Sequence, residues 1–339
     1  MSNKIVRTVC YFSDAPSLKS VGKVDEIAGT LTQRGFLVQT KRVCSPAIDK
    51  IIELDSKYAN GSYIFGIGSA TRDSLLNQLN NLLACRDISF NLDLTEKDIT
   101  KEDAQILFEI IRNKPAKTFN FTYVFNNPHS SPFFPSGSYQ QDGFSIGFQP
   151  TDLSEDCNSL PEWLDKMKGV WLEVYDLFKN DSQFLGIDSS IAPLFSGKSS
   201  LIGFIRKLGL DFSHSATTNI YLLITNFIKQ ENPKPVGLCG IMFPCLEDFE
   251  LADEYGGGNF SIERNIYLSL HSGVGIDTYP IGIDEKSERV LEILKLLQAL
   301  SEKYKKPLST RFVSDGKAKI GDKTDFQNQY LKDVIVRAL

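Results

Sequence analysis

The sequence predicts an α/β protein built on a mainly parallel sheet, and three observations carry that expectation. Short β-branched or aromatic runs alternate with helical segments along most of the chain. The connections between them are short, which suits βαβ units with helices covering the sheet faces. The composition, 42% hydrophobic and 23% charged over 339 residues, supplies ample apolar material for a core. A closed barrel and an open doubly wound sheet both fit. The number of units and their persistence towards the C-terminus favour one large α/β barrel domain over 1–339.

The elements follow from local chemistry. "KIVRTVCYF" (4–12) reads as a strand ending at a Ser-Asp-Ala-Pro turn, and a helix then runs to about Arg34, with Gly35 as its stop. "FLVQTKRV" (36–43) is a strand, and Ser45 and Pro46 open the next helix as cap and first residue. "GSYIFGIG" (61–68) is followed by a helix over 71–84 capped by Thr71. A strand at 87–94, a helix over about 100–112 and a strand at 117–125 continue the rhythm. Segment 126–143, rich in Pro, Gly and Ser, breaks it as a long loop of functional type. Beyond it come a helix over 161–179, a strand at 183–188, and helices near 198–207 and 216–230. "VGLCGIMF" (236–243), helices near 246–255 and 260–270, and the short strand 273–277 follow. A helix over 285–304 and a strand at 307–313 complete the pattern.

Several functions are disfavoured at once. The net charge is −5 and Lys and Arg are scattered, so no basic stripe offers itself to nucleic acid. The first residues lack a signal-peptide apolar region, and no run of about 18 apolar residues exists to cross a membrane. A cytoplasmic location is expected. The six cysteines form no Cys-x-x-Cys pair, so they read as reduced, mostly buried thiols rather than a zinc site or disulfide framework.

"IAPLFSGKSS" (191–200) matches the permissive P-loop pattern, but its context argues against a nucleotide site. The stretch between the strand and Gly197 is long, Phe195 is bulky, and "NIYLLITNF" ends in no magnesium-binding Asp. A helix start with a surface Lys198 is the better reading. "EYGGGNF" (254–260) likewise lacks dinucleotide-binding spacing.

In α/β folds ligands gather at the C-terminal ends of strands. Those ends supply Asp188 and Ser189, Glu247 and Asp248, Asp277 and Thr278, Ser309 and Arg311, and Asn91 and Asp93. Carboxylates after several strands suit acid–base chemistry or a hard divalent cation. The alternatives are structural: Glu247 and Asp248 also suit the start of a helix, and Arg311 suits either a buried ion pair or a ligand contact. His129 lies in the long loop beside Phe133 and Phe134, where it could line a pocket. No nucleophile–His pairing emerges for it, His214 or His271.

Five motifs, "FFPSGSYQQDGFSIGFQPTDL" (133–153), "FLGIDSSIAP" (184–193), "GLCGIMFPCLEDFELA" (237–252), "SGVGIDTYPIG" (272–282) and "KPLSTRF…GDKTDF" (306–326), resemble the DUF711 family, related to UPF0210. The N-terminal "IVRTVCYF" fits as well. The resemblance implies a barrel similar to that of pyruvate formate-lyase-type glycyl radical enzymes, and no established reaction. Asp188, Glu247, Asp248, Asp277, Ser309, Arg311 and Asp322 fall in its motif positions. The variants "SHSATT" and "LHSGVG" put a thiol role in doubt. No glycyl radical is expected, because no glycine follows Gly321 and no cysteines are adjacent.

The expectation is therefore an enzyme acting on a small polar or anionic metabolite at the strand-end face. Asp188, Glu247 and Asp277 would be its acid–base groups, and Arg311, Ser309, His129 and Asn91 its ligand contacts. Asp188, Glu247, Asp248 and Asp277 would be candidate ligands for a divalent cation, and the pattern assigns no other cofactor. A homo-oligomer, most simply a dimer, is expected, and the rival reading is a metabolite-binding or regulatory protein without turnover.

Overall fold

A computed structural model describes residues 4–58 and 61–339. Its strands are β1 (Lys4–Phe12), β2 (Phe36–Cys44), β3 (Tyr63–Ala70), β4 (Ile88–Asp93), β5 (Phe121–Phe125), β6 (Gly143–Phe148), β7 (Phe184–Asp188), β8 (Gly275–Pro280) and β9 (Leu308–Val313). They form one sheet in the order β7-β6-β1-β2-β3-β4-β5-β9-β8. The α/β class and the mainly parallel character are as expected, but the strands run in two directions. β1 to β5 are parallel to one another, while β6 runs antiparallel to β1 and β9 antiparallel to β5. β7 follows β6 and β8 follows β9 in parallel. Strand C-termini therefore point to both ends of the sheet, which corrects the premise that one face collects them all.

The regular ladder does not close, because β7 and β8 do not pair with each other. Segment 234–249, which includes the expected run 236–243, lies between them as irregular chain. It makes parallel bridges to one side at Ile187–Pro235, Ile191–Ile241 and Phe195–Asp248, and to the other at Ile241–Gly273 and Pro244–Asp277.

Local signals act at their own positions. Gly35 ends helix Leu18–Gln33 at φ 80°, a left-handed conformation glycine adopts without a Cβ penalty. Thr71 caps helix Arg72–Ala84 by accepting from Ser74 N. Helix Leu160–Phe178 buries Trp163, Met167, Trp171 and Val174 along one stripe, and the Trp163 indole N–H finds Pro150 O at 2.8 Å. β6 carries no alternation because both its faces are buried, and its glycines disguise it as loop.

The long loop between β5 and β6 is not a surface excursion. It turns inward and packs against the strands, with Pro132 O accepting from Arg42 Nη1 at 2.9 Å and Asn91 Nδ2 donating to Pro135 O at 2.8 Å. A cis peptide joins Phe134 to Pro135. The Phe134 ring lies so close to Gly66 that a Cβ there would sit 2.8 Å from it. All six cysteines are buried and free, as expected. Among the described residues no helix is long and apolar enough to cross a membrane.

Candidate functional site

Beneath the inward loop lies a cavity of about 500 Å³. Residues from β1, β2, β3, β4, β5, β8 and β9 line it, together with the inward loop, segment 192–195 and segment 238–247. Its charged lining is three arginines, Arg7, Arg42 and Arg311, and two carboxylates, Glu247 and Asp277. Its strand residues come from within β1, β2, β8 and β9 (Arg7, Arg42, Asp277 and Arg311) and from the N-terminal parts of β3 to β5 (Ile64, Ser89 and Thr122), so the cavity does not gather at strand C-terminal ends as expected.

Arg311 projects from β9 and is almost wholly buried. Its Nε donates to Asp277 Oδ1 at 2.6 Å and its Nη2 to Glu247 Oε2 at 2.5 Å. Nη1 reaches Phe119 O at 3.3 Å, and the guanidinium carbon stands 5.1 Å from the Phe119 ring centre. Asp277 owes its position to an irregularity: the β8–β9 register shifts between Ile276 and Tyr279, and Thr278 takes φ 40°. A break of this kind re-aims side chains, and a β-branched residue adopts that φ only under constraint.

One guanidinium serving two carboxylates has unequal consequences. Burial opposes the Arg311 charge, yet Asp277 and Glu247 together hold its pKa above the ordinary value. Glu247 shares its cation and faces a second anion. Burial raises its pKa above the usual carboxylate range, Asp277 adds to the rise, and Arg311 and Arg7 only partly offset it. Arg7 Nη2 lies 3.8 Å from Glu247 Oε1.

Arg42 has no such partner. Its guanidinium carbon stands 5.0 Å from the Phe134 ring centre, and its buried Nε has no hydrogen-bond acceptor. Burial, reinforced by the Arg7 charge, pulls its pKa down to about 9. Sequence reading missed Arg7 and Arg42. Their signal was a cation inside an apolar strand pattern, as in "IVRTV" and "TKRVC".

The expected site residues divide. Glu247, Asp277, Ser309 and Arg311 come together on the cavity wall, with Ser309 Oγ donating to Val274 O at 3.3 Å. Asp188 does not line it. That carboxylate is fully buried and accepts from Ser131 Oγ, Ser190 Oγ, Leu238 N and Cys239 N. Asp248 caps helix Phe249–Gly256 and takes Ser200 Oγ at 2.6 Å. Asn91 ties the inward loop, His129 Nδ1 meets Ser138 Oγ at 3.2 Å, and Asp322 accepts from Lys319 N. Neither Asn91 nor His129 lines the cavity.

Among the described residues no three His, Cys, Asp or Glu side chains are disposed to hold a metal ion. The carboxylates of Asp188, Glu247, Asp248 and Asp277 do not assemble into such a set, and each accepts hydrogen bonds from protein donors. The Gly-Lys-Ser stretch forms a short 3-10 turn over Gly197–Ser199. Lys198 pairs with Glu155 at 2.9 Å on the surface.

Residues 172–328 match the model of the family described as Uncharacterised ACR (DUF711), the family the sequence motifs resemble. The matched stretch holds β7 to β9, Glu247, Asp277 and Arg311, while Arg7, Arg42 and the inward loop lie before it. No curated protein matches the chain.

Proposed function

We propose that this chain, whose residues 172–328 match the DUF711 family model, is an enzyme that acts on a small anionic metabolite inside the cavity, with Glu247 as its proton-transfer group. The observation that carries the reading is Glu247 itself: a buried carboxylate on a cavity wall, oriented by Arg311 and raised in pKa by burial and Asp277. Catalysis near neutral pH needs a carboxyl that both holds and releases a proton, and environments of this kind supply one. Three arginines against two carboxylates leave the lining positive, which suits an anionic ligand. This reading takes segment 234–249, bridged on both sides, as the stave that completes a barrel wall around the ligand. It routes no step through a metal.

The second reading is a metabolite-binding protein without turnover. The engagement of both carboxylates by Arg311 favours it, since a closed ion-pair network also serves as plain structure. A metabolite panel followed by NMR separates the two. Product formation by the wild type, lost in Glu247→Gln with ligand binding kept, supports the enzyme. Ligands that bind and remain unchanged overturn it.

A further inference from the structure

Arg42 stands apart from the other two arginines of the cavity. Arg311 has two carboxylates and Arg7 approaches one, whereas no ion pair among the described residues reaches Arg42. The side chain is nonetheless only 7% exposed. Burying a guanidinium without a counter-ion costs several kcal/mol, so such a group is retained where something compensates it. The protein fixes its orientation instead of neutralising it. Pro132 O takes Nη1 at 2.9 Å, and the Phe134 ring lies against the guanidinium at 5.0 Å. Nε is buried and without an acceptor, out of reach of a ligand, whereas the side chain lines the cavity and its Nη2 has no acceptor among the described residues. A guanidinium N–H left free at a cavity wall offers a carboxylate or phosphate a charge-assisted hydrogen bond.

We propose that Arg42 anchors an oxyanion subsite, assisted by the positive charge of Arg7, and that the ligand of this cavity carries a phosphate or carboxylate group there. The inference rests on the reading of the cavity as a ligand site, but not on proton transfer by Glu247. It assigns the ligand's acidic end to the β1–β2 side of the cavity, and leaves the Glu247–Asp277 side to the reacting end.

Calorimetric titration of the full chain with inorganic phosphate, and separately with succinate, tests the subsite. At least one is expected to bind at concentrations up to about 10 mM, and which one identifies the oxyanion. Arg42→Met should abolish that binding. Arg42→Lys, which keeps the charge and a donor for Pro132 but loses the fork, should weaken it by roughly ten-fold. Lys198→Ala should bind as the wild type does. Near-UV circular dichroism of each variant checks that the fold survives, and if Arg42→Met fails this check, Arg42→Lys decides. Binding of neither anion, or equal binding by the Arg42 variants and wild type, overturns the subsite. Anion binding that depends on Arg42, without turnover of any ligand, leaves the subsite standing and removes only the enzymatic reading.

Discussion

Arg311 and Glu247, separated by 64 residues in the chain, meet on the cavity wall with Nη2 2.5 Å from Oε2. β9 presents the first and the irregular segment between β7 and β8 presents the second. Both are almost fully buried, so neither can exchange its partner for water. Removing one member strands the charge of the other in a poorly solvated interior.

Arg311→Met should therefore leave the half-buried Asp277 without its cation and the buried Glu247 with only Arg7, at 3.8 Å. A loss of about 3–5 kcal/mol in urea denaturation at neutral pH is expected. The loss should shrink in acid, where both carboxyls take up protons. An Arg311→Met protein as stable as wild type at neutral pH would count against the network.

The charge of Asp277 contributes to the raised pKa of Glu247. Asp277→Asn removes that charge and leaves Arg311 to Glu247 alone. Both changes favour the carboxylate, so the Glu247 titration should move down in pH. Carbon-13 NMR of labelled glutamate carboxyls reads this directly, and an unmoved or upward titration contradicts the account.

Asp248 offers a stability test away from the cavity. Burial raises its pKa from 3.8 to about 6, despite the Ser200 hydroxyl and the backbone N–H groups that it accepts from. Its protonated form is therefore favoured by folding. The contribution is fully present below about pH 3.8 and is lost as pH rises through about 6, on the order of 3 kcal/mol in all. Asp248→Asn should flatten the stability profile across that window in denaturant titrations.

Asp188 joins the inward loop to segment 237–240, accepting from Ser131 on one side and from Leu238 and Cys239 on the other. Gly237 adopts φ 74° directly against this carboxylate, where a Cβ would collide with its Oδ2. Asp188→Ala should cost about 3 kcal/mol or more, since several buried donors lose their acceptor together. Asp188→Asn should cost less. Thermal unfolding measures both, and a neutral Asp188→Ala would refute the hub.

Much of the local structure was legible in the sequence. Gly35 and Thr71 act through neighbours a few residues away, and such signals survive in a linear string. Glu247, Asp277, Ser309 and Arg311 were legible as polar residues in or after apolar strand-like runs, although Asp277 and Arg311 lie inside β8 and β9 and not at their ends. The same rule also selected Asp188, Asp248 and Asn91. Whether a strand-end polar group meets a ligand or a backbone N–H depends on what packs above it, which no local pattern records.

The sequence by itself determined the alternation of strands and helices, the caps that bound several of them, and the acidic residues available at strand ends. Tertiary structure decided which way each strand runs, and so which ends share a face. It also turned the loop after β5 inward, setting Phe134 beneath Arg42, and brought Arg7, Arg42 and Arg311 from three strands around one cavity. The physical reason is range. Caps and periodicity are settled by contacts within a turn or two, whereas the charge balance of a cavity is settled by side chains hundreds of residues apart.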